Sequence, residues 1–213
     1  MFDALHHSIT GKAIDTGKLS IECVDIRLFS TDKHRKCDDA PFGGGAGMVM
    51  CAQPIYDAIQ SIDPNHEYHR IYLSPKGSVL TTQKAKTLAA CSNKLLLLCG
   101  RYEGVDQRVL DLCIDEEISI GDYVLTGGEL AAMVLVDSVS RFCSGVLGNA
   151  ESAEDESFSN GLLEYPHYTR PFEFKGLQVP EVLVQGHHKK VDDWRREEAE
   201  KITQLRRSDL LTR

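Results

Sequence analysis

"IGDYVLTGGELA", Ile120 to Ala131, decides how the rest of the chain is read. Its hydrophobic residues suit a buried strand, but three glycines and two acids interrupt them, and a helical run follows directly. A mere connector needs no Gly-Gly pair before a helix, so something lies close to this backbone. Upstream, "EEISI" (Glu116–Ile120) reads as a strand, and "GELAAMVLVDSVSRF" downstream has helical spacing.

The same grammar occurs twice more. "HRIYLS" (His69–Ser74) is strand-like, stops at Pro75–Lys76–Gly77 and leads to the helical "TTQKAKTLAA". "KLLLLC" (Lys94–Cys99), a continuous apolar run suited to a central parallel strand, stops at Gly100 before the helical "VDQRVLDLC". Strand, glycine loop and helix, three times over, predict an α/β fold with a parallel sheet. "LSIECVDIRLF" (Leu19–Phe29) alternates like a further half-buried strand.

Near Gly148 the composition changes. "NAESAEDESFSNG" is acidic, rich in Ser and Asn, and poor in large apolar residues, as in a mobile linker over 149–161. Beyond it, Val191, Trp194, Ile202 and Leu205 would form one apolar face on a charged helix. The expected organisation is a ligand-binding α/β domain over 1–148, that linker, and a small, mainly helical domain over 162–213.

Composition removes several classes. The 213 residues are 42% hydrophobic and 26% charged, as in a soluble globular protein. No run is long enough for a membrane span, and "MFDALHHSITGK" lacks the features of a secretory signal, so a cytoplasmic protein is expected. Seven cysteines without a Cys-x-x-Cys pair argue against a disulfide framework or zinc ribbon, and read as reduced, mostly buried thiols. The net charge of −8 argues mildly against nucleic acid. Distribution matters more than the total, and "RLFSTDKHRK", "HHKK" and "LRR" are locally basic; each alone reads as solvated surface.

"PFGGGAGMVM" (Pro41–Met50) is no Walker loop, because no apolar strand enters it and no Lys-Ser/Thr pair closes it. A glycine loop approached closely by a ligand or RNA stays open. The three strand-ending loops are stronger together, because ligands of open parallel sheets sit beyond the carboxyl ends of the strands. Glycines there expose backbone groups able to read an adenine edge. Leu73, Ile120 and Leu125 would sandwich such a base, and Glu103 would accept from sugar hydroxyls.

"GGGAGMVM", "YLSPKG", "CGRYEGVDQRV", "IGDYVLTGGEL", "DSVSRF", "ESAEDESFSNGLLEYPHYTRP" and "VPEVLVQGHH" follow one another as in the bacterial tRNA (guanine-N(1)-)-methyltransferases. The resemblance runs from residue 1 to about 210. It implies a trefoil-knotted SPOUT fold, a homodimer with active sites at the subunit interface, and S-adenosylmethionine as methyl donor to guanosine 37 of tRNA. It also implies a magnesium requirement whose ligands cannot be placed; no metal-binding residue is assigned. The positions matching the family's donor site are Tyr72, Leu73, Ser74, Pro75 and Gly77; Gly100, Arg101, Tyr102, Glu103 and Gly104; and Ile120, Gly121, Tyr123, Val124, Leu125, Gly127 and Gly128. Gly127 and Gly128 would leave room for the donor. Gly47 and Ser152 match substrate-contacting positions.

The implied chemistry uses a carboxylate as general base toward guanine N1 and a guanidinium facing the oxygen where charge collects. Arg141 of "DSVSRF" matches the family's arginine; read by itself it would pair with Asp137, one turn earlier. The family's base is an aspartate directly before "SF", where this chain has Glu156, preceded by Asp155. Ala131 stands where the family usually has proline. The family also begins about ten residues earlier, with an apolar strand; either the start codon is placed late here or that strand is absent, which would leave a sheet edge bare. Two rival readings use the same residues: an RNA-binding protein without activity, and a knotted methyltransferase for another RNA nucleotide.

Overall fold

A computed structural model describes residues 1–91, 94–148 and 156–212. The chain divides into two compact units, Met1–Gly148 and Asn149–Arg213. In the first, helix α1 (Ser8–Asp15) precedes a short antiparallel pair, β1 (Asp38–Asp39) and β2 (Val49–Met50), and helix α2 (Ala52–Ile62). Three strand–helix units follow: β3 (His69–Val79) with α3 (Thr82–Ala90), β4 (Leu95–Cys99) with α4 (Gln107–Cys113), and β5 (Glu116–Ser119) with α5 (Glu129–Ser140). The three strands form a parallel sheet in the order β4-β3-β5, as the repeated pattern predicts.

Helices cover both faces of this sheet. On one, Ile55 and Ile59 of α2 and Val109 and Leu110 of α4 pack on Tyr72, Leu96 and Leu98. On the other, Ala85 and Leu88 of α3 and Ala132, Leu135 and Val139 of α5 pack on Ile71, Leu73 and Ile118. Ile71, Ile118 and Leu135 are fully buried, each contributing about 1.5–3 kcal/mol by leaving water. Local chemistry starts two helices. Thr81 Oγ1 accepts from the Lys84 N–H at 3.2 Å, and Asp106 Oδ1 from the Arg108 N–H at 3.0 Å.

One charged pair sits in this interior. Arg70 Nε donates to Asp63 Oδ2 at 2.7 Å, and both side chains are almost sealed from water. The N–H groups of Glu67 and Tyr68 also donate to the Asp63 carboxylate. Burial pushes the Asp63 carboxyl up, and these hydrogen bonds more than offset it, so its pKa lies below the usual value.

The structure corrects several expectations. β3 does not stop at Ser74; its pairing with β5 resumes at Ser78 after a register shift from Leu73. Leu19–Phe29 forms no strand, only a single 3-10 turn at Ile26–Phe29. Its alternating pattern finds no strand to pair with among the described residues. The edge strand β4 and the residues Leu19 to Arg27 together line a cavity of about 980 Å³. The cysteines are all free, but only Cys37 and Cys113 are buried.

In the second unit a two-residue turn, Lys175–Gly176, joins β6 (Glu173–Phe174) to β7 (Leu177–Gln178), with φ of 51° and 83° as such hairpins require. Helix α6 (His188–Arg206) buries Ala199 and Thr203. Thr203 Oγ1 donates to the Ala199 carbonyl at 2.7 Å and accepts from the Leu163 N–H at 2.8 Å. Leu205 is 83% exposed, so the inward face runs through Val191, Trp194, Ala199 and Ile202 without it. No described helix is long and apolar enough to cross a membrane.

Candidate functional site

The three loops that leave the carboxyl ends of β3, β4 and β5 meet at one cleft of about 280 Å³. Every loop position named from the sequence lines it, with one exception. That exception is Gly77, which lies against the neighbouring strand. A Cβ there would run into the Glu117–Ile118 peptide, so this glycine lets β3 resume beside β5.

The chain's own atoms fill the space beside both glycines of "TGG". A Cβ on Gly128 would lie 2.9 Å from Cys99 Cα, and the Gly128 N–H donates to the Gly100 carbonyl at 2.8 Å. A Cβ on Gly127 would collide with the Glu129 carboxylate. Glu129 in turn holds Arg101, with Nη2 at 2.6 Å from Oε1. The clearance expected for a ligand at this pair is thus taken up by the end of β4 at Gly128 and by the Glu129 side chain at Gly127. The third loop is sutured to the second, and the cleft opens in front of both.

Gly121 has φ +148, and its N–H donates to Ser119 Oγ, which donates back to the Gly121 carbonyl at 3.0 Å. The Tyr123 hydroxyl donates to the Ile120 carbonyl at 3.3 Å. Tyr102 sits at φ +58, an uncommon conformation for a residue with a side chain. Both tyrosines stay more than half exposed at the cleft mouth. Leu73, Ile120 and Leu125 belong to the apolar cluster under α3 and α5, so one wall is greasy.

The opposite wall was only partly legible. Lys76, Gln107, Leu110 and Glu117 also line the cleft. Strand register was the missing signal: Glu117 pairs with Tyr72, so their side chains leave the sheet on one face. Burial, and then the nearby Glu117 carboxylate, push the Tyr72 phenol up.

The glycine loop after Pro41 also reaches this site. The Glu103 N–H donates to the Met48 carbonyl at 3.0 Å, and the Met50 N–H to the Gly104 carbonyl at 2.9 Å. Gly47, at φ +89, lies against the Glu103 side chain.

Arg141 caps the carboxyl end of α5 and does not line the cleft. α5 starts at the cleft beside Gly128, and its 12 residues put Arg141 about 18 Å away along the axis. Glu156 belongs to the second unit, where its carbonyl accepts from the Ser159 N–H. Asp155 and Ser152 lie outside the described residues. Among the described residues, no group of three or more His, Cys, Asp or Glu side chains converges to hold a metal.

Comparison with known proteins agrees over the whole length. The family described as tRNA (Guanine-1)-methyltransferase TrmD matches residues 1–213. The tRNA (guanine-N(1)-)-methyltransferase of Rhodospirillum rubrum is 59% identical over 209 residues, covering 98% of this chain and 87% of that protein. That of Clostridioides difficile is 54% identical over 209 residues, covering 97% and 90%. That of Carboxydothermus hydrogenoformans is 52% identical over 210 residues, covering 99% and 82%.

Proposed function

We propose that this chain, which belongs to the tRNA (guanine-1)-methyltransferase family, transfers a methyl group from S-adenosylmethionine to N1 of guanosine 37 in tRNA. The observation that carries the reading is the convergence of the three loops on one cleft at the carboxyl ends of parallel strands. The cleft fits the donor. Its apolar wall of Leu73, Ile120 and Leu125 suits an adenine, and Glu103 suits ribose hydroxyls. When bound, the donor supplies an electrophilic methyl group on a sulfonium.

The protein's part is to hold the base and manage two charges. The linker carboxylate, Glu156 or Asp155, takes the N1 proton. Arg141 faces the guanine oxygen and stabilises the negative charge that collects there. The basic stretches and the second unit hold the tRNA, and the knot of the SPOUT fold gathers the three loops. The enzyme works in the cytoplasm.

The site is shared between two copies. Arg141 stands about a helix length from the cleft of its own chain. Leu130 and Val134 are 47% and 44% exposed on α5, and with Arg141 they share one stripe at spacings of four and seven. Two such helices, packed antiparallel about a two-fold axis, bring each Arg141 to the cleft end of the other. The deciding experiment is methyl transfer from labelled S-adenosylmethionine to tRNA transcripts. Transfer to the transcript with guanosine 37, and none to one with adenosine there, is the expected result. Label on both transcripts points to another nucleotide, and none on either to an inactive RNA-binding protein.

A further inference from the structure

Glu117 stands out among the residues of the cleft. Its Oε2 is sealed from solvent and has no hydrogen-bond partner among the described residues. Its strand partner Tyr72 is a buried phenol, and Leu110 of α4 adds an apolar neighbour to the same wall. A carboxylate oxygen buried without a donor is costly, and such atoms are rare enough in folded proteins to require a cause. Glu103, the other acid lining the cleft, differs from it by packing on Gly47.

We infer that Glu117 is the anchor for the ammonium group of the donor's methionine portion. The inference rests on the donor reading given above. Three observations carry it. Glu117 lines the wall opposite the apolar Leu73–Ile120–Leu125 side, so a ligand whose adenine takes the greasy wall turns its polar chain toward it. The last torsion of a glutamate is soft and nearly two-fold, so the carboxylate turns an oxygen into the cleft at little cost. A cation also suits the wall better than a hydroxyl, since it cancels the charge as well as filling the vacant acceptor. Lys76 on the same lining supplies the opposite charge that the amino acid's carboxylate needs.

The test compares two nucleosides on Glu117→Gln, which keeps the shape and removes the charge. S-adenosylhomocysteine carries the ammonium; 5′-methylthioadenosine keeps the adenine, the ribose and the thioether and lacks the amino acid. Titration calorimetry is expected to show S-adenosylhomocysteine bound about 10- to 150-fold more weakly by the variant, the range for a hydrogen bond to a charged group. Binding of 5′-methylthioadenosine is expected to stay within twofold, and the ligand-free melting temperature to hold or rise, because an unpaired buried charge is gone. Equal losses for both nucleosides, or no loss for either, overturn the role of Glu117 while leaving the donor reading intact. Wild-type protein that binds neither nucleoside overturns the donor reading, and this inference with it.

Discussion

Gly47 packs against Glu103: a Cβ at Gly47 would stand 2.5 Å from both Cγ and Oε1 of that side chain. The contact joins two motifs that are separate in sequence, the glycine loop after Pro41 and the "GRYEG" turn after β4. It places the loop behind a cleft residue, where it sets the position of a carboxylate. Three backbone hydrogen bonds between residues 48–50 and 103–106 hold the contact in register.

Gly47→Ala is therefore expected to act on Glu103. The φ of +89 disfavours any side chain by roughly 1 kcal/mol, or a melting temperature lower by about 2–4 °C. The new methyl also pushes the Glu103 carboxylate from its place. S-adenosylhomocysteine affinity should fall severalfold in calorimetry. An unchanged affinity alongside a lowered melting temperature would show that Glu103 carries no part of the binding.

Arg141→Ala should slow turnover by about 100- to 1,000-fold, the usual effect of losing one oxyanion-stabilising group. Donor affinity should stay within a few-fold, since Arg141 is outside the cleft of its own chain. Mixed with Gly128→Val, whose side chain would strike Cys99, it should recover part of the activity through hybrid dimers. Sedimentation showing only monomer in an active preparation would sink the shared site.

The general base is tested by a pair of variants. Single-turnover methylation with Glu156→Gln should be slower by orders of magnitude, with partial rescue at high pH where guanine loses its own proton. Asp155→Asn should stay near wild type. The reverse pattern assigns the role to Asp155, and two near-normal variants place the base elsewhere.

Asp63 gives a prediction about stability alone. Its folded pKa is depressed, so its contribution is present above the unfolded value of about 3.9. That contribution is lost as pH falls through the lower folded value. Asp63→Asn leaves Arg70 charged and buried, at a cost of about 3–5 kcal/mol near neutrality. Denaturant titrations should show wild type and variant converging below about pH 4. A constant gap at all pH values would place the loss in packing.

The sequence by itself determined the three strand–loop–helix units, because apolar runs of strand length, glycine stops and helical spacing are local signals. It also determined the family, through motifs such as "IGDYVLTGGEL" whose order is specific. Tertiary structure decided the rest. Leu19–Phe29 alternates like a strand, yet a strand exists only where another backbone pairs with it, and here a cavity stands beside β4. Leu205 fits a helical stripe on paper and points to solvent, because the stripe that packs is centred on Ala199 and Thr203. Gly127 and Gly128 look like ligand clearances, but the space beside them belongs to the Glu129 carboxylate and to Cys99. Glu117 was invisible for the same reason. Its place beside Tyr72 comes from the pairing of β3 with β5, strands some 45 residues apart in register. Local pattern reports what a segment can become, and only its neighbours in space settle what it touches.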